Sequence, residues 1–526
     1  MFEGLSSYFD SRRIPDGEVV ESDVCIVGAG AAGLTIAQQL AGQPLRVCLL
    51  ESGGLWPDDA HDALNAFEET GHPVAGGRLR FFGGTTNHWG GHCVPIRAIA
   101  FEKRDWIPHS GWPFGRDHMD PFYSRAHAVL GIGDYDYDPE PVARRLGFPM
   151  LPFKPDAVET VLSRYNRLRF GDRFREALDR AENASAFVYA TVTSINLDAD
   201  RRAVTDVGVT TLAGNAFTVR AKFYVLATGG IENARLLLAN NRHMPAGLGN
   251  LNDLVGRFFM DHIWYSSGYI LPADQNDEAV ALYAEESDYE DDYLVRCHLA
   301  LPEERVRALR IPDYRVELQV MRSHRWSEAA ASYRRLRRSI RSLSLDRLYA
   351  EDILNVLGDP AKTFAYATNS EDPPLVYGFA NYVEPVPNPE SRVMLSSEKD
   401  ALGLNRADVR WKLTNQDKEG IKTAQHAIAQ EVGRSGIGRM NIVVPESEEY
   451  LLYGASGGHH HMGTTRMDNN PRLGVVDADC RVHGLENLYV AGSSVFPAAG
   501  YPNPTLTIVA LSLRLADHLE SRMRKV

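Results

Sequence analysis

The chain has 526 residues, 44% hydrophobic and 24% charged, with 56 Lys and Arg against 69 Asp and Glu, a formal net charge of −13. That length exceeds what one hydrophobic core supports and predicts two or three domains of ordinary globular composition. The acidic balance argues against a surface that neutralises phosphates, so nucleic acid is not an expected partner. No run of about 20 apolar residues offers a membrane span.

The first residues, MFEGLSSYFDSRRIPDGEVV, contain no apolar stretch of the kind that precedes a cleavage site, so the expected compartment is the cytoplasm. The five cysteines form no C-x-x-C pair, and Cys25 and Cys48 sit in apolar runs as small core residues.

From Asp23 the chain reads DVCIVGAGAAGLTIAQQLAGQPLRVCLLESGG. A short buried strand at 24–27 leads into Gly28-x-Gly30-x-x-Gly33, then a small-residue helix at 31–40 and a second strand at 47–50 ending at Glu51. Gly28 permits the tight turn, Gly30 lets the backbone approach a pyrophosphate, and Gly33 allows helix and strand to pack closely. Glu51 stands 23 residues after Gly28, near the spacing of roughly 20 expected of a carboxylate that accepts ribose hydroxyls. This context predicts a dinucleotide site without choosing between NAD and FAD.

Further along, Pro and Gly mark loops at 111–118 and 146–155 as candidate gates. FVYATVTSINLD (187–198) reads as strand. His262, in FMDH, reads as a buried structural histidine. The acidic stretch 274–293 is read as a solvated loop. Alternation at 293–302 and 314–323 predicts antiparallel strands. The segment 326–357 has a helical pattern, and its basic run Arg334-Arg335-Leu336-Arg337-Arg338 is read as a solvated face.

Near the C-terminus, SGGHHHMGTTRM (456–467) raises the question of a metal site. In an extended segment successive side chains face opposite ways, so three adjacent histidines do not converge on one ion.

Three stretches together resemble one family: the glycine fingerprint, Arg80-Phe-Phe-Gly83-Gly84-Thr85-Thr86-Asn87-His88-Trp89, and the block from the histidines through VDADCRVHGLENLYVAGSSVFPAAGYPNPTLTIVALSLRLADHL. The resemblance is to the GMC (glucose–methanol–choline) FAD-dependent oxidoreductases, within the branch that holds pyranose 2-oxidase and the bacterial glycoside 3-oxidases and 3-dehydrogenases. Smaller matching pieces lie at 226–240, 255–262 and 387–403.

The resemblance implies an α/β fold: a Rossmann-like FAD domain with an inserted antiparallel-sheet substrate domain. Its expected parts are residues 1–262 (with loops 101–180 over the site) and 455–526 for FAD, and mainly 263–454 for substrate. Gly28, Gly30, Gly33 and Glu51 would hold the ADP half. Gly83, Gly84, Thr85 and Thr86 would approach flavin and pyrophosphate, and Gly492 and Ser493 the pyrophosphate. Pro504 and Thr505 would face the ring, and Val192 would meet adenine through its backbone. His88 stands where some relatives attach FAD covalently; the alternative is an unlinked histidine at the dimethylbenzene edge.

The family's H-x-x-G-T pattern fits only His460, which makes it the expected base, with Asn503 as the partner that holds the substrate oxygen. Imidazole titrates near neutral pH and suits that task. His459 and His461 are then structural. Two departures stand out: Arg466-Met467-Asp468 where relatives read R-M-G, and Glu384-Pro385-Val386-Pro387-Asn388 where relatives often carry Gln.

The implied reaction is oxidation of a secondary hydroxyl, at C3 or C2 of a pyranose sugar or glycoside, with hydride passing to flavin N5 and O2 or another acceptor reoxidising it. Oxidation of a non-sugar alcohol and a non-redox lyase are the alternatives.

Overall fold

The computed structural model describes residues 7–525 except 73, 75, 275–279, 285, 291–292, 323–328, 330–331, 334–335, 338–349, 369–374 and 443–455. Four consecutive strands of a six-stranded parallel sheet are Val47–Leu50, Val24–Val27, Phe223–Leu226 and Leu488–Val490, the last forming one edge. Tyr8–Asp10 and Ala184–Val188 extend it at the other edge. These four strands are buried throughout, which is why they read as continuous apolar runs rather than alternating ones. Cys25 and Cys48 face each other in register on two of them, and all five cysteines are free and buried.

Helices Ala31–Leu40, Gly229–Ala239 and Thr505–Met523 belong to this layer. A strand from near residue 25 therefore lies two places from one near 490, and both ends of the chain build one sheet.

The second large sheet is antiparallel. Its path runs Gly438–Ile442, Ile263–Pro272, Leu375–Val383, Tyr314–Arg322, Tyr293–Ala300, Glu159–Tyr165 and His92–Cys93. Two of its strands thus come from residues before 263. The predicted strands at 293–302 and 314–323 are present, and their alternation has a clear cause. Tyr314, Val316 and Leu318 are buried on one face, where the Tyr314 hydroxyl bonds Asn381. Arg315 and Glu317 take the other face, and Glu317 pairs there with Arg296 at 2.9 Å.

The acidic stretch read as a loop contains a short helix, Ala281–Ala284, and a strand, Ser287–Glu290. The expected helix at 326–357 lies largely outside the described residues; a helix at Ala350–Gly358 is present. Most of its basic run also lies outside them. No helix among the described residues is long and apolar enough to cross a membrane.

Candidate active site

The two sheets meet along a cavity of about 820 Å³ that runs from Glu51 and Val192 to His460 and Asn503. At its far end the glycine turn behaves as its spacing predicts. A Cβ on Gly33 would stand 1.9 Å from the Gly28 carbonyl oxygen, so only glycine permits this helix to sit on its strand. A Cβ on Gly30 would meet nothing within 4 Å, because that position faces the cavity. Gly30 caps the helix without a side-chain bond, which leaves first-turn N–H groups and a partial positive charge directed at the cavity.

Glu51 is buried, and it accepts from the N–H groups of Ala29 (2.9 Å) and Gly53 (2.8 Å). Burial pushes its carboxyl above the usual range. Gly84 and Thr85 line the middle of the cavity, and Gly492 lies on the opposite wall.

Two predicted contacts are already used within the protein. The Thr86 hydroxyl donates to Gly83 O, and Gly83 itself is buried behind the wall. The Ser493 hydroxyl donates to His461 O at 2.7 Å, so its side chain anchors the histidine loop rather than projecting as a free donor.

His88 is exposed to the cavity on the same side as His459, the two rings flanking Gly77. The histidine run is not an extended strand: His459 adopts φ 62° and turns the chain. Its Nδ1 donates to Gly76 O at 2.6 Å, while the His461 ring lies against Phe259. All three line the cavity, and His460 is the one whose ring reaches Asn503.

There His460 Nε2 lies 3.0 Å from Nδ2 of Asn503, two residues before helix Thr505–Met523. Pro504 and Thr505 sit beside it, and that helix start carries no side-chain cap, so it too presents partial positive charge to the cavity. Asn503 Oδ1 is buried without a partner, an atom that a bound molecule can satisfy.

Sequence reasoning missed several neighbours. His262, read as structural, is indeed buried, yet its Nδ1 lies 2.8 Å from His460 Nδ1. It adjoins Asp261, whose Oδ1 accepts from the N–H groups of His460 and Gly458. Burial raises Asp261 to about 7 and pulls His262 down to about 4.

Trp264 and Tyr382 are register partners on adjacent strands, and both line the same cavity together with His92. Behind them Arg315, fully buried, donates to His92 Nε2 at 2.9 Å and stacks 4.4 Å over the Tyr382 ring. Its Nε and Nη2 have no partner. Burial first, then the neighbouring histidines and Arg315, hold His460 well below the ordinary imidazole range, so it stands neutral with a free lone pair.

The Glu384 departure also has a place. Glu384 is buried in a two-pronged pair with Arg104 (2.7 and 2.6 Å), and it accepts from Gly500 N–H at 3.3 Å. It thereby braces the segment that leads to Asn503.

An elongated cavity with a phosphate-binding helix start at one end and a neutral imidazole at the other fits FAD, the ADP half towards Glu51 and the ring towards Asn503. Comparison with known proteins agrees. Residues 387–512 match the model described as GMC oxidoreductase, and residues 22–253 match that of pyridine nucleotide-disulphide oxidoreductases.

The fructose dehydrogenase large subunit of Gluconobacter japonicus is 23% identical over 97% of this chain and 99% of its own. The C-glycoside 3-oxidase of Arthrobacter globiformis is 33% identical, but over only 24% of each chain, so the likeness to that narrower branch is partial. The solved structure of pyridoxine 4-oxidase from Mesorbium loti superposes with a TM-score of 0.59, 18% identity, and coverage of 95% of this chain and 99% of the other. The fold and the matched segments therefore converge: the chain has the α/β fold of GMC oxidoreductases and is an FAD-dependent oxidoreductase acting on CH–OH groups.

Proposed function

We propose that the substrate is a pyranose sugar or glycoside, oxidised at a secondary hydroxyl at C3 or C2, with His460 as base and Asn503 as orienter. The observation that carries this reading is that the His460–Asn503 pair shares its cavity with Trp264 and Tyr382, register partners on adjacent strands. Flat aromatic faces beside convergent polar groups suit a ring with an apolar face and hydroxyl edges.

Bound FAD supplies the acceptor for the hydride that leaves the carbinol carbon. The residues do the rest. The hydroxyl enters between the two side chains, donates to the His460 Nε2 lone pair and accepts from an Asn503 amide N–H. Its proton ends on Nε2. The walls exclude water and fix the carbon's hydrogen towards the cavity. O2 or another acceptor completes the cycle, and His88, exposed at the cavity, is the proposed point of covalent attachment.

Anaerobic mixing with monosaccharides, O- and C-glycosides and simple alcohols, following the flavin band, tests the reading. Bleaching by a glycoside, lost by roughly a hundredfold or more in His460→Ala, supports it. Bleaching only by non-sugar alcohols overturns the sugar assignment. Acid precipitation separates the attachment question: a yellow pellet that becomes colourless in His88→Ala supports the link, and yellow supernatant refutes it.

A further inference from the structure

We propose that His262 is a positioning residue that fixes the tautomer of His460, so that the lone pair of the base stands on Nε2 and faces the substrate. This rests on the reading of His460 as the base.

Every proton in the contact can be assigned from its partners. His262 Nε2 lies 2.8 Å from Gly500 O, a carbonyl that only accepts, so Nε2 carries a hydrogen. A neutral imidazole has a single N–H, which leaves His262 Nδ1 as a bare lone pair. That lone pair stands 2.8 Å from His460 Nδ1, and the contact is a hydrogen bond only if His460 carries its proton on Nδ1. His460 Nε2 is then unprotonated. The last link agrees: Asn503 Nδ2 donates to that same Nε2 at 3.0 Å.

The chain of donors therefore has one direction, from Asn503 and His460 through His262 to Gly500. Reversing it would set the His262 Nε2 lone pair against a carbonyl oxygen and the His460 Nε2–H against an amide N–H. Both buried contacts would be lost together.

The direction is anchored from behind. Gly500 N–H donates to Glu384, which the buried Arg104 guanidinium holds by two bonds. The ring planes of His262 and His460 are nearly perpendicular, at 82°, and their edges meet nitrogen to nitrogen with centroids 5.0 Å apart, which aims one in-plane lone pair at the other ring's N–H. Once Nε2 has taken the substrate proton, the resulting imidazolium keeps its Nδ1–H on His262, a stronger donor on the same acceptor. His262 moves no proton itself, and its 198-residue separation from His460 hides the pairing from any local motif.

The test uses the FAD-loaded protein with ¹⁵N-labelled histidine. His460 is assigned by comparison with His460→Gln, whose loss removes its signals. The expected spectrum shows a protonated Nδ1 and an unprotonated Nε2 for His460. His262→Asn places an oxygen acceptor near the lost Nδ1 and is expected to keep that tautomer. His262→Leu removes the acceptor, and a mixture of tautomers is expected, with flavin reduction by a productive alcohol slowed roughly tenfold or more while the apparent affinity for the alcohol holds.

A protonated Nε2 on His460 in the wild type overturns the proposal, and this decides the matter even if the leucine variant does not fold. A leucine variant with the wild-type tautomer overturns it as well. So does an equal loss in the asparagine and leucine variants, which would mark a packing role. If no alcohol bleaches the wild-type flavin, the functional reading fails while the tautomer result stands by itself.

Discussion

Asp261 Oδ1 accepts the backbone N–H of His460 at 2.8 Å, so the carboxyl beside one histidine holds the loop that carries the other. Its Oδ2 is buried without a partner, and burial raises the group to about 7. The unfolded carboxyl ionises near pH 4. Between about 4 and 7 the folded chain keeps a proton that the unfolded chain has released, so this group's contribution is complete below pH 4 and is lost as pH rises to 7. At roughly 1.4 kcal/mol per unit, the loss across the window is about 4 kcal/mol. Asp261→Asn retains the acceptor and cannot ionise. Urea unfolding at pH 5 and pH 8 should show the variant gaining on the wild type as pH rises; a difference independent of pH would contradict the raised carboxyl.

Arg315 puts a buried positive charge behind the His460 wall and is one of the groups that hold this imidazole down, after burial and the neighbouring histidines. Arg315→Met removes the cation and fills much of its volume. The sign follows: without a nearby positive charge His460 protonates more readily, so the acid limb of kcat/KM moves to higher pH. A limb that stays in place or moves down would show that the guanidinium does not act on the base. Since two of its nitrogens lack partners, unfolding measurements should show little loss of stability, in keeping with other buried charges replaced by apolar groups.

Glu384 and Arg104 form a pair in which both side chains are almost wholly buried. Glu384→Ala strands the guanidinium and should cost about 3–5 kcal/mol in denaturant unfolding. Glu384→Gln keeps an oxygen acceptor for Arg104 and Gly500 N–H and should lose markedly less. Equal losses in the two variants would mean that volume, not pairing, holds this segment.

The parts legible in the sequence were those set by short-range geometry. Gly28 and Gly33 declare themselves because a positive-φ turn and a helix–strand contact forbid a Cβ, while Gly30, open to the cavity, is marked by its place between them. Buried parallel strands and the alternating strands at 293–302 and 314–323 follow from which faces are covered. His460 and Asn503 were found through a family pattern rather than through spacing.

His92, Trp264, Arg315 and Tyr382 were not found, since each is brought in by a different strand of the antiparallel sheet. The FMDH segment carried the one usable signal for His262: a polar pair placed directly before an apolar strand, which the Met260–Met462 bridge sets against the histidine loop. The alternation argument for the three histidines failed in its premise, because the left-handed His459 breaks the extended geometry it assumed.

Asn503 separates holding from proton removal. Its Nδ2 donates to His460 Nε2 at 3.0 Å, while its Oδ1 is buried and unsatisfied. Asn503→Ala removes the donor proposed to hold the substrate oxygen but leaves His460, the proposed base, neutral and with the same tautomer. Flavin reduction should slow by roughly a hundredfold, as when one positioned donor is removed from a developing charge, with the acid limb of the pH profile unmoved. Asn503→Asp does something different. A carboxylate beside Nε2 favours the imidazolium, so the acid limb should climb towards neutral pH and the loss should be greatest on the acid side. Rapid-mixing reduction rates from pH 5 to 9 for both variants provide the check. Profiles of identical shape for alanine and aspartate would show that residue 503 does not touch the base's proton-accepting nitrogen.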